Sequence, residues 1–400
     1  MSHSAEGHSA AVNVLVLGTA EWDSPIATNQ HYVVRELARA FDVTFVESLG
    51  LRRPKLEPRD LKRMAQRLHR SMSSVQRSAR PRPENVRIVS PVVVPLHRAP
   101  TRPVNRALLH RSVSDWVNSS GPRVLWTFTP VTYGLEALAE LTVYHCVDLL
   151  AEFPGIDGAA VRRGEEKLSS RAALAIGTSH AVADHLTKVG FPTVRLLTNV
   201  ADTVVFESAS LPAEQRRPAA LFAGNLSPHK LDFDVLKSLA TALKGRGELL
   251  LAGPIAAGGG GYDRQVEELT SLGARYLGVL DLPALAEVAG QCTVGLIPYA
   301  LNAYTQGVSP LKCYEYLASG MAVVSTPLPE VRKVADGNPH VSAVEPQEFL
   351  DRVLAALDPP TDSARLDRMV RARQGSWSER GQLLRDLLAS LLTPSTRKLP

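Results

Sequence analysis

The sequence predicts an α/β protein made of two doubly wound domains, each built on a parallel sheet. The chain has 400 residues, of which 44% are hydrophobic and 21% charged; this is a globular composition, and the chain is too long for one ordinary core. Short apolar runs such as VNVLVL (12–17) and AALFA (219–223) alternate with amphipathic helical patterns along both halves. That alternation is typical of parallel sheets covered by helices, with about 150 to 200 residues per domain.

The first half opens with a strand, a glycine turn and a helix. The run at 12–17 leads into Gly18-Thr19, then a loop and the helical pattern HYVVRELARAF, and VTFVE (43–47) forms the next strand. This order is that of a βαβ unit. The loop contains no G-x-G-x-x-G, so no dinucleotide site is predicted there. Further strands are predicted at 85–95, 123–127 and 141–146.

The cysteines and the lack of long apolar runs indicate in which cellular compartment the protein is expected. Cys146, Cys292 and Cys313 are scattered without Cys-x-x-Cys spacing, which predicts buried, reduced thiols in the cytoplasm. The first dozen residues lack the basic start and apolar core of a signal peptide, and no apolar run reaches the roughly 18 residues needed to span a bilayer. No His/Cys cluster offers a metal site, so none is expected.

The region 52–111 is strongly basic. It holds sixteen Arg and Lys residues against three Asp and Glu residues. Within it, PRDLKRMAQRLHRSMSSVQRS predicts a helix with one apolar stripe and basic residues on its other faces. Such a helix can lie on an anionic bilayer, or it can pack on the domain core with a solvated basic face. Nucleic acid is not expected as a partner, because interleaved aromatic residues and a binding motif are absent.

The most informative stretch is SPLKCYEYLASGMAVVSTPLPE, residues 309–330. Its pattern predicts a helix opened by Ser-Pro and ended by Gly320, followed by a buried strand at 322–324. Lys312 and Glu315 lie three residues apart near the helix start, where the helix dipole attracts anions. A cation for phosphates and a carboxylate for sugar hydroxyls suit a nucleotide diphosphate. The alternative is a surface salt bridge on an ordinary helix.

This stretch resembles the "P-x-K-x-x-E-[YA]-x-A-x-G-x-P-V-V" signature of nucleotide-sugar glycosyltransferases of GT-B architecture, especially the retaining family 4. The resemblance implies that Glu315 binds the donor ribose and that Lys312 lies near the diphosphate. Many family members carry a second Glu eight residues earlier, and Gly307 occupies that position here. That Glu usually contacts the transferred sugar, so the sugar's identity and the anomeric outcome stay open.

The resemblance implies further donor residues in the second half. Gly224 to Lys230 is similar to the family's "G-x-x-x-x-x-K" donor-phosphate loop, in which a cation and free N–H groups can neutralise a departing diphosphate. Lys230 is therefore predicted to be catalytic, the alternative being a solvated lysine. LLLAGP (249–254) is similar to the family's next strand and Gly-Pro turn, which places Gly253 near the nucleotide. Tyr299 and the loop 302–309, with Ser309, would line the donor pocket.

Acceptor residues are expected in the first half. Asn29, Gln30 and His31 follow the first loop, which faces the acceptor in GT-B enzymes, although Asn29 could equally cap the next helix. Asp148 follows a strand at its carboxyl end, where α/β sheets present site residues. It is the candidate general base or acceptor-orienting carboxylate, with His145 in reserve. The alternative for Asp148 is a helix N-cap.

These expectations define a two-domain glycosyltransferase with a cleft between its halves. An acceptor-binding domain is predicted at 1–205, a linker near 205–217, a donor-binding domain at 218–375, and a C-terminal helix and tail at 376–400 that packs back on the first domain. The donor would be a nucleotide diphosphate sugar, without a cofactor. The favoured acceptor is lipid-linked or a glycolipid of cell-surface polysaccharide synthesis, reached at the inner face of the plasma membrane. A soluble acceptor, or a non-catalytic nucleotide-sugar-binding scaffold, is the alternative.

Overall fold

The computed structural model describes residues 11–24, 27–50, 80–94, 99–153, 156–255 and 263–393. The chain divides into two compact units. Unit 1 comprises Met1–Leu197 and Gly381–Pro400, and unit 2 comprises Thr198–Arg380. The predicted basic helix within 58–78 and the glycine run at 258–261 lie outside the described residues.

Unit 1 contains a seven-stranded parallel sheet of order β3-β2-β1-β4-β5-β6-β7. Its strands are β1 Asn13–Leu17, β2 Asp42–Val46, β3 Val86–Val89, β4 Arg123–Thr127, β5 Leu141–Cys146, β6 Leu174–Gly177 and β7 Val194–Leu196. The strand order reverses between β1 and β4, and doubly wound sheets bind ligands at the carboxyl edge of such a reversal. All six residues of β5 are buried, as expected for a strand with both faces covered.

The described helices of unit 1 before residue 198 pack their apolar stripes on this sheet. They are α1 Asn29–Leu37, α2 Arg102–Ser112, α3 Ser114–Val117, α4 Gly158–Ser169 and α5 His180–Val189, with single 3₁₀ turns at Ala99–Thr101, Leu135–Ala137 and Leu150–Glu152. The N-termini of α4 and α5 are fixed by side chains, because Asp157 accepts from the Ala160 N–H and Ser179 from the Val182 N–H.

Unit 2 contains a six-stranded parallel sheet of order β10-β9-β8-β11-β12-β13. Its strands are β8 Ala219–Ala223, β9 Glu248–Ala252, β10 Arg275–Tyr276, β11 Val294–Ile297, β12 Ala322–Ser325 and β13 Val341–Ala343. The strand order reverses between β8 and β11, so the ligand position expected of this fold lies beyond the ends of these two strands.

The helices that begin in unit 2 complete the chain. They are α6 Thr203–Ser208, α7 Phe233–Ala242, α8 Asp263–Ser271, α9 Leu282–Gln291, α10 Ala303–Gln306, α11 Lys312–Ala318, α12 Pro329–Ala335, α13 Pro346–Ala355, α14 Asp362–Ala372 and α15 Trp377–Leu392, with 3₁₀ turns at Ala213–Gln215 and Arg373–Gly375. Within the described residues, no helix combines the length and apolar character needed to cross a bilayer.

Two local differences from the sequence expectations have physical causes. The presumed linker at 205–217 contains the end of α6 and a 3₁₀ turn, which its mixed composition hid. Helix α11 begins at Lys312 and not at Ser309, because Ser309 is engaged with Asn199. Gly320 has φ +80° and ends this helix as predicted.

The C-terminal helix returns to unit 1, as predicted for this fold. From Gly381 onward α15 belongs to unit 1, and Arg385 Nη1 lies 2.6 Å from Glu36 Oε2 on α1. The Glu36 side chain is only 2% exposed, so the pair is largely withdrawn from water.

Candidate donor and acceptor sites

Two glycines bring the backbones after β8 and β9 into contact. A Cβ on Gly253 would lie 2.1 Å from the Gly224 carbonyl oxygen, and Gly253 has φ +127°, a conformation that favours glycine. Tyr276 Oη donates to the Gly253 carbonyl at 2.8 Å and fixes this turn. At the carboxyl edge of unit 2, beside the strand reversal, Gly224 and Gly253 therefore have no side chains to cover the backbone. A ligand can approach closely there.

Lys312 lies directly over the first of these glycines. A Cβ on Gly224 would meet Lys312 Cε at 2.9 Å, so a larger residue at 224 would displace the lysine. Lys312 Nζ is 3.8 Å from Glu315 Oε2, and both side chains are mostly buried. The fold thus brings together Gly224, Lys312 and Glu315, three residues that the sequence assigned to the donor site.

Glu315 is a buried carboxylate with unused hydrogen-bonding capacity. Oε2 makes no hydrogen bond to any residue that the structure describes, and Lys312 is too distant for one. Burial raises the pKa of the Glu315 carboxyl, and the nearby Lys312 charge partly offsets that rise. A buried acceptor left open in this way is suited to receive hydrogen bonds from ligand hydroxyl groups.

Lys230 and Tyr299 meet at the strand reversal of unit 2. The Lys230 ammonium lies 4.7 Å from the centroid of the Tyr299 ring, which follows β11 and is 2% exposed. Lys230 is therefore at the edge where the sequence placed it.

Ser309 has a structural contact in unit 2. Its Oγ accepts from the Asn199 N–H at 3.2 Å, and Asn199 Nδ2 donates to the Ser309 carbonyl at 2.8 Å. Donor binding by Ser309 stays a prediction. Gly307 follows α10 as its C-cap, so no carboxylate stands at that position.

In unit 1, Gln30 and His31 hold the loop that precedes them. Gln30 Oε1 accepts from the Thr19 N–H at 2.7 Å, and Gln30 Nε2 donates to Thr19 Oγ1 at 2.6 Å. His31 Nδ1 accepts from the Thr28 N–H, which leaves Nε2 to donate to the Glu21 carbonyl at 3.1 Å. Burial, reinforced by Arg80, lowers the pKa of His31 and favours this neutral form.

The proposed cap at Asn29 is wrong, because Thr28 occupies the N-cap position of α1 and Asn29 is the first helical residue. Asn29, like its two neighbours, is buried. Acceptor binding by Asn29, Gln30 and His31 stays a prediction, and any contact would have to coexist with their role in shaping the loop.

His145 and Asp148 flank the carboxyl end of β5. His145 is 4% exposed and stacks on Phe128, with ring centroids 4.8 Å apart. Asp148 is partly buried just beyond the strand. The alternative of Asp148 as a helix cap is wrong, because Asp157 caps the following α-helix. The catalytic assignments of both residues stay predictions.

Comparison with known proteins finds a family match for the segment that contains Lys230, Lys312 and Glu315. Residues 217–358 match the family model described as Glycosyl transferases group 1. This segment is a group 1 glycosyltransferase domain. A stretch of 114 residues is 35% identical to the putative teichuronic acid biosynthesis glycosyltransferase TuaH of Bacillus subtilis strain 168. That match spans 28% of this chain and 28% of the relative.

Solved structures establish the fold around the group 1 glycosyltransferase domain. Sucrose-phosphate synthase from Thermosynechococcus elongatus has a TM-score of 0.65 at 17% identity, covering 94% of this chain and 99% of that one. Anabaena HepE in complex with UDP and glucose has a TM-score of 0.65 at 14% identity, with the same coverage. The predicted GT-B fold is confirmed.

One further residue of the group 1 glycosyltransferase domain was missed from the sequence. Tyr316 Oη accepts from the Ala223 N–H at 3.0 Å and so ties α11 to the end of β8. A Cβ on Gly295 would lie 2.2 Å from the Tyr316 ring, so glycine at that position makes room for it. Only the pairing of a glycine in a buried strand with a helical tyrosine could have signalled this contact.

No metal site is evident in the part of the chain that the structure covers. There, no group of three or more His, Cys, Asp or Glu side chains could hold a metal ion.

Proposed function

We propose that the protein is a glycosyltransferase that moves a sugar from a nucleoside diphosphate sugar to an acceptor. The observation that carries the proposal is the buried Glu315 carboxylate with an open oxygen, beside Lys312 where it crosses Gly224. A carboxylate and an ammonium side by side at a glycine-lined edge match the two halves of such a donor, its hydroxylated ribose and its diphosphate. The group 1 match and the UDP complex of HepE support this assignment.

The reaction breaks the bond between the sugar's anomeric carbon and the phosphate oxygen and forms a bond to an acceptor oxygen. The bonding electrons leave with the nucleoside diphosphate, and Lys230 and Lys312 stabilise the negative charge that develops there. In an inverting reaction Asp148 would take the acceptor proton, while in a retaining reaction the departing phosphate would take it and Asp148 would only orient the acceptor.

In this proposal the two lysines supply the positive charge, and no cofactor or bound metal takes part. Transfer should therefore continue at an unchanged rate after dialysis against EDTA. Activity that EDTA abolishes and Mg²⁺ restores would overturn this part of the proposal.

A thermal-shift panel of UDP-, GDP-, dTDP- and ADP-sugars tests the donor site, because a ligand that binds the native state raises Tm. We expect one nucleotide class to raise the Tm of the wild type and to have no effect on Glu315→Ala. Glu348→Ala, which removes an exposed carboxylate of the same unit, is the matched control and should keep the shift. No shift with any of the four, or an equal shift in Glu315→Ala, would overturn the assignment.

For the acceptor we propose a lipid-linked or glycolipid molecule of cell-surface polysaccharide synthesis, bound at an anionic membrane surface. Support comes from the name of the TuaH relative and from helix α2. This helix exposes Arg102, Arg106 and Arg111, and Val104 between them is 50% exposed. Cations and an exposed apolar side chain on one helix suit an interface with anionic lipid.

Flotation with phosphatidylglycerol vesicles at low salt tests the membrane surface. The wild type should float with the vesicles, and Arg106→Glu combined with Val104→Asp should weaken this. Arg171→Glu, at another exposed arginine of unit 1, is the control. A wild type that stays in solution would favour a soluble acceptor.

The scaffold alternative rests on the missing carboxylate at Gly307. Slow donor hydrolysis without acceptor, abolished by Lys230→Ala, would support the enzyme. Donor binding without turnover under any acceptor condition would favour the scaffold.

A further inference from the structure

The two loops at the strand reversal of unit 2 are joined by backbone hydrogen bonds. The Ala300 N–H donates to the Lys230 carbonyl at 3.0 Å, and the Asp232 N–H donates to the Pro298 carbonyl at 2.9 Å. These bonds form an antiparallel bridge between Leu231 and Tyr299. The loop that carries Lys230 is therefore held against the loop that carries Tyr299.

Side chains strengthen this pairing from both sides. Asn302 Nδ2 donates to the His229 carbonyl at 2.9 Å, next to Lys230 in the chain. Thr326 Oγ1 donates to the Tyr299 carbonyl at 2.7 Å from the end of β12. With 2% exposure and a fixed backbone, the Tyr299 ring is a rigid surface, whereas Lys230 is only partly buried.

We propose that Tyr299 is a positioning residue whose ring face seats the Lys230 ammonium for the donor diphosphate. The distance of 4.7 Å from ammonium to ring centroid is within the range of a cation–π interaction. A lysine side chain has four rotatable bonds, and ordering it costs conformational entropy when a ligand binds. If the Tyr299 ring already orders the Lys230 side chain before the ligand binds, part of this entropy cost is removed. The inference rests on the proposed role of Lys230 in donor binding.

The chemistry of the seat differs from that of the other lysine in the site. Lys312 is 3.8 Å from a carboxylate, which carries a full negative charge and competes with phosphate for the ammonium. An aromatic ring attracts the cation through its quadrupole and has no net charge. Tyr299 therefore contacts the Lys230 ammonium without placing a negative charge beside it.

The contact can be measured without relying on catalysis. Reductive ¹³C-methylation labels every lysine and keeps its charge, and the Lys230 signal is the one that disappears in Lys230→Arg. We expect this signal to be shifted upfield by the ring current, to stay shifted in Tyr299→Phe, and to lose the shift in Tyr299→Leu. An unshifted wild-type signal, or one that Tyr299→Leu leaves in place, would overturn the proposal.

Kinetics then test whether the seat contributes to donor use. With UDP-glucose, or whichever sugar nucleotide of the panel raises Tm, we expect Tyr299→Leu to lower kcat/KM by about three- to thirty-fold. Tyr299→Phe should remain close to the wild type, because it keeps the ring. In a Lys230→Ala background, Tyr299→Leu should cost nothing further, whereas a merely structural role would lower activity in that background as well. Equal losses in both backgrounds would overturn the proposal.

The outcomes separate this inference from the proposed function. Full activity in Lys230→Ala would show that the assigned role of Lys230 fails. Loss in Lys230→Ala together with full activity in Tyr299→Leu would reject the seat alone. Lys244→Ala, which removes an exposed lysine in the same unit, serves as the control for both, and the Tm of each variant reports folding.

Discussion

Glu315 illustrates how a residue proposed to bind a ligand can oppose stability. The carboxylate is buried, its pKa is raised by desolvation, and Oε2 lacks a hydrogen-bond partner among the described residues. An ionised group held in this way is less favourable in the folded state than in the unfolded chain, where water solvates it. A ligand that donates hydrogen bonds to the open oxygen would relieve that penalty. The side chain that lowers the stability of the ligand-free protein would thus strengthen its affinity for the ligand.

Glu315→Gln should therefore be more stable than the wild type at pH 7 and should lose donor binding. Removing about 1 kcal/mol of penalty corresponds to a Tm about 2–4 °C higher for a chain region of this size. The folded pKa is raised above its ordinary value of 4.5, so the wild-type penalty is absent at acidic pH and grows as pH rises through the folded pKa. The advantage of the variant should shrink accordingly between pH 7 and pH 4. Calorimetry across this range measures it, and a lower Tm at pH 7 would contradict the prediction.

At the scale of elements, helix α11 is held at its C-terminus by long-range contacts. It has seven residues, too few to be stable by its own hydrogen bonds. Arg216 donates to the Ser319 carbonyl and Arg368 Nη1 to the Gly320 carbonyl at 3.0 Å, just beyond the helix C-terminus. Two cations there satisfy orphan carbonyl groups and complement the helix dipole. Because the C-terminus of α11 is fixed, so is the position of Lys312 and Glu315 relative to the carboxyl edge of the sheet.

Arg216→Lys should destabilise unit 2 by about 2–3 kcal/mol. The guanidinium also donates to the carbonyls of Leu211 and Cys292 and to Ser210 Oγ, a planar fan of bonds that an ammonium cannot reproduce. Urea unfolding should show a lower midpoint with an unchanged slope. Arg246→Lys, at an exposed position, should have no effect. A midpoint equal to that of the wild type would show that α11 does not depend on this clamp.

The sequence predicted elements and local signatures well, but not the contacts between distant segments. Alternating apolar runs predicted the sheets, and the proximity of Lys312 and Glu315 could be predicted because three-residue spacing on a helix is a local property. Arg216 lay in a presumed linker, and its partners at 292 and 319 are far away in the chain. Tyr316 meets Ala223 by the same kind of long-range contact. No local pattern encodes such pairs, since tertiary packing alone creates them.

At the scale of the whole molecule, unit 1 is built from both ends of the described chain. Arg385 on α15 pairs with the buried Glu36 of α1, and a Cβ on Gly381 would lie 2.1 Å from Glu36 Oε2. The last helix is therefore an integral part of the first unit.

Arg385→Leu should destabilise unit 1 by about 3 kcal/mol, because it leaves a buried carboxylate without its main partner. Arg39, 3.4 Å away but 60% exposed, compensates only partly. The double variant Arg385→Leu, Glu36→Leu should recover much of the loss, since it removes the stranded charge as well. Chemical denaturation measures all three proteins. Equal stability of the single variant and the wild type would show that α15 is held by its apolar contacts alone.

The return of the chain to unit 1 also sets an order of events during synthesis. A ribosome releases the seven strands of unit 1 first, then the whole of unit 2, and only afterwards the residues that supply Arg385. All of unit 2 has been synthesised before Arg385 is added, whereas unit 1 lacks the main partner of Glu36 until then. A translational stall just before Arg385 would therefore leave unit 2 complete and unit 1 unfinished.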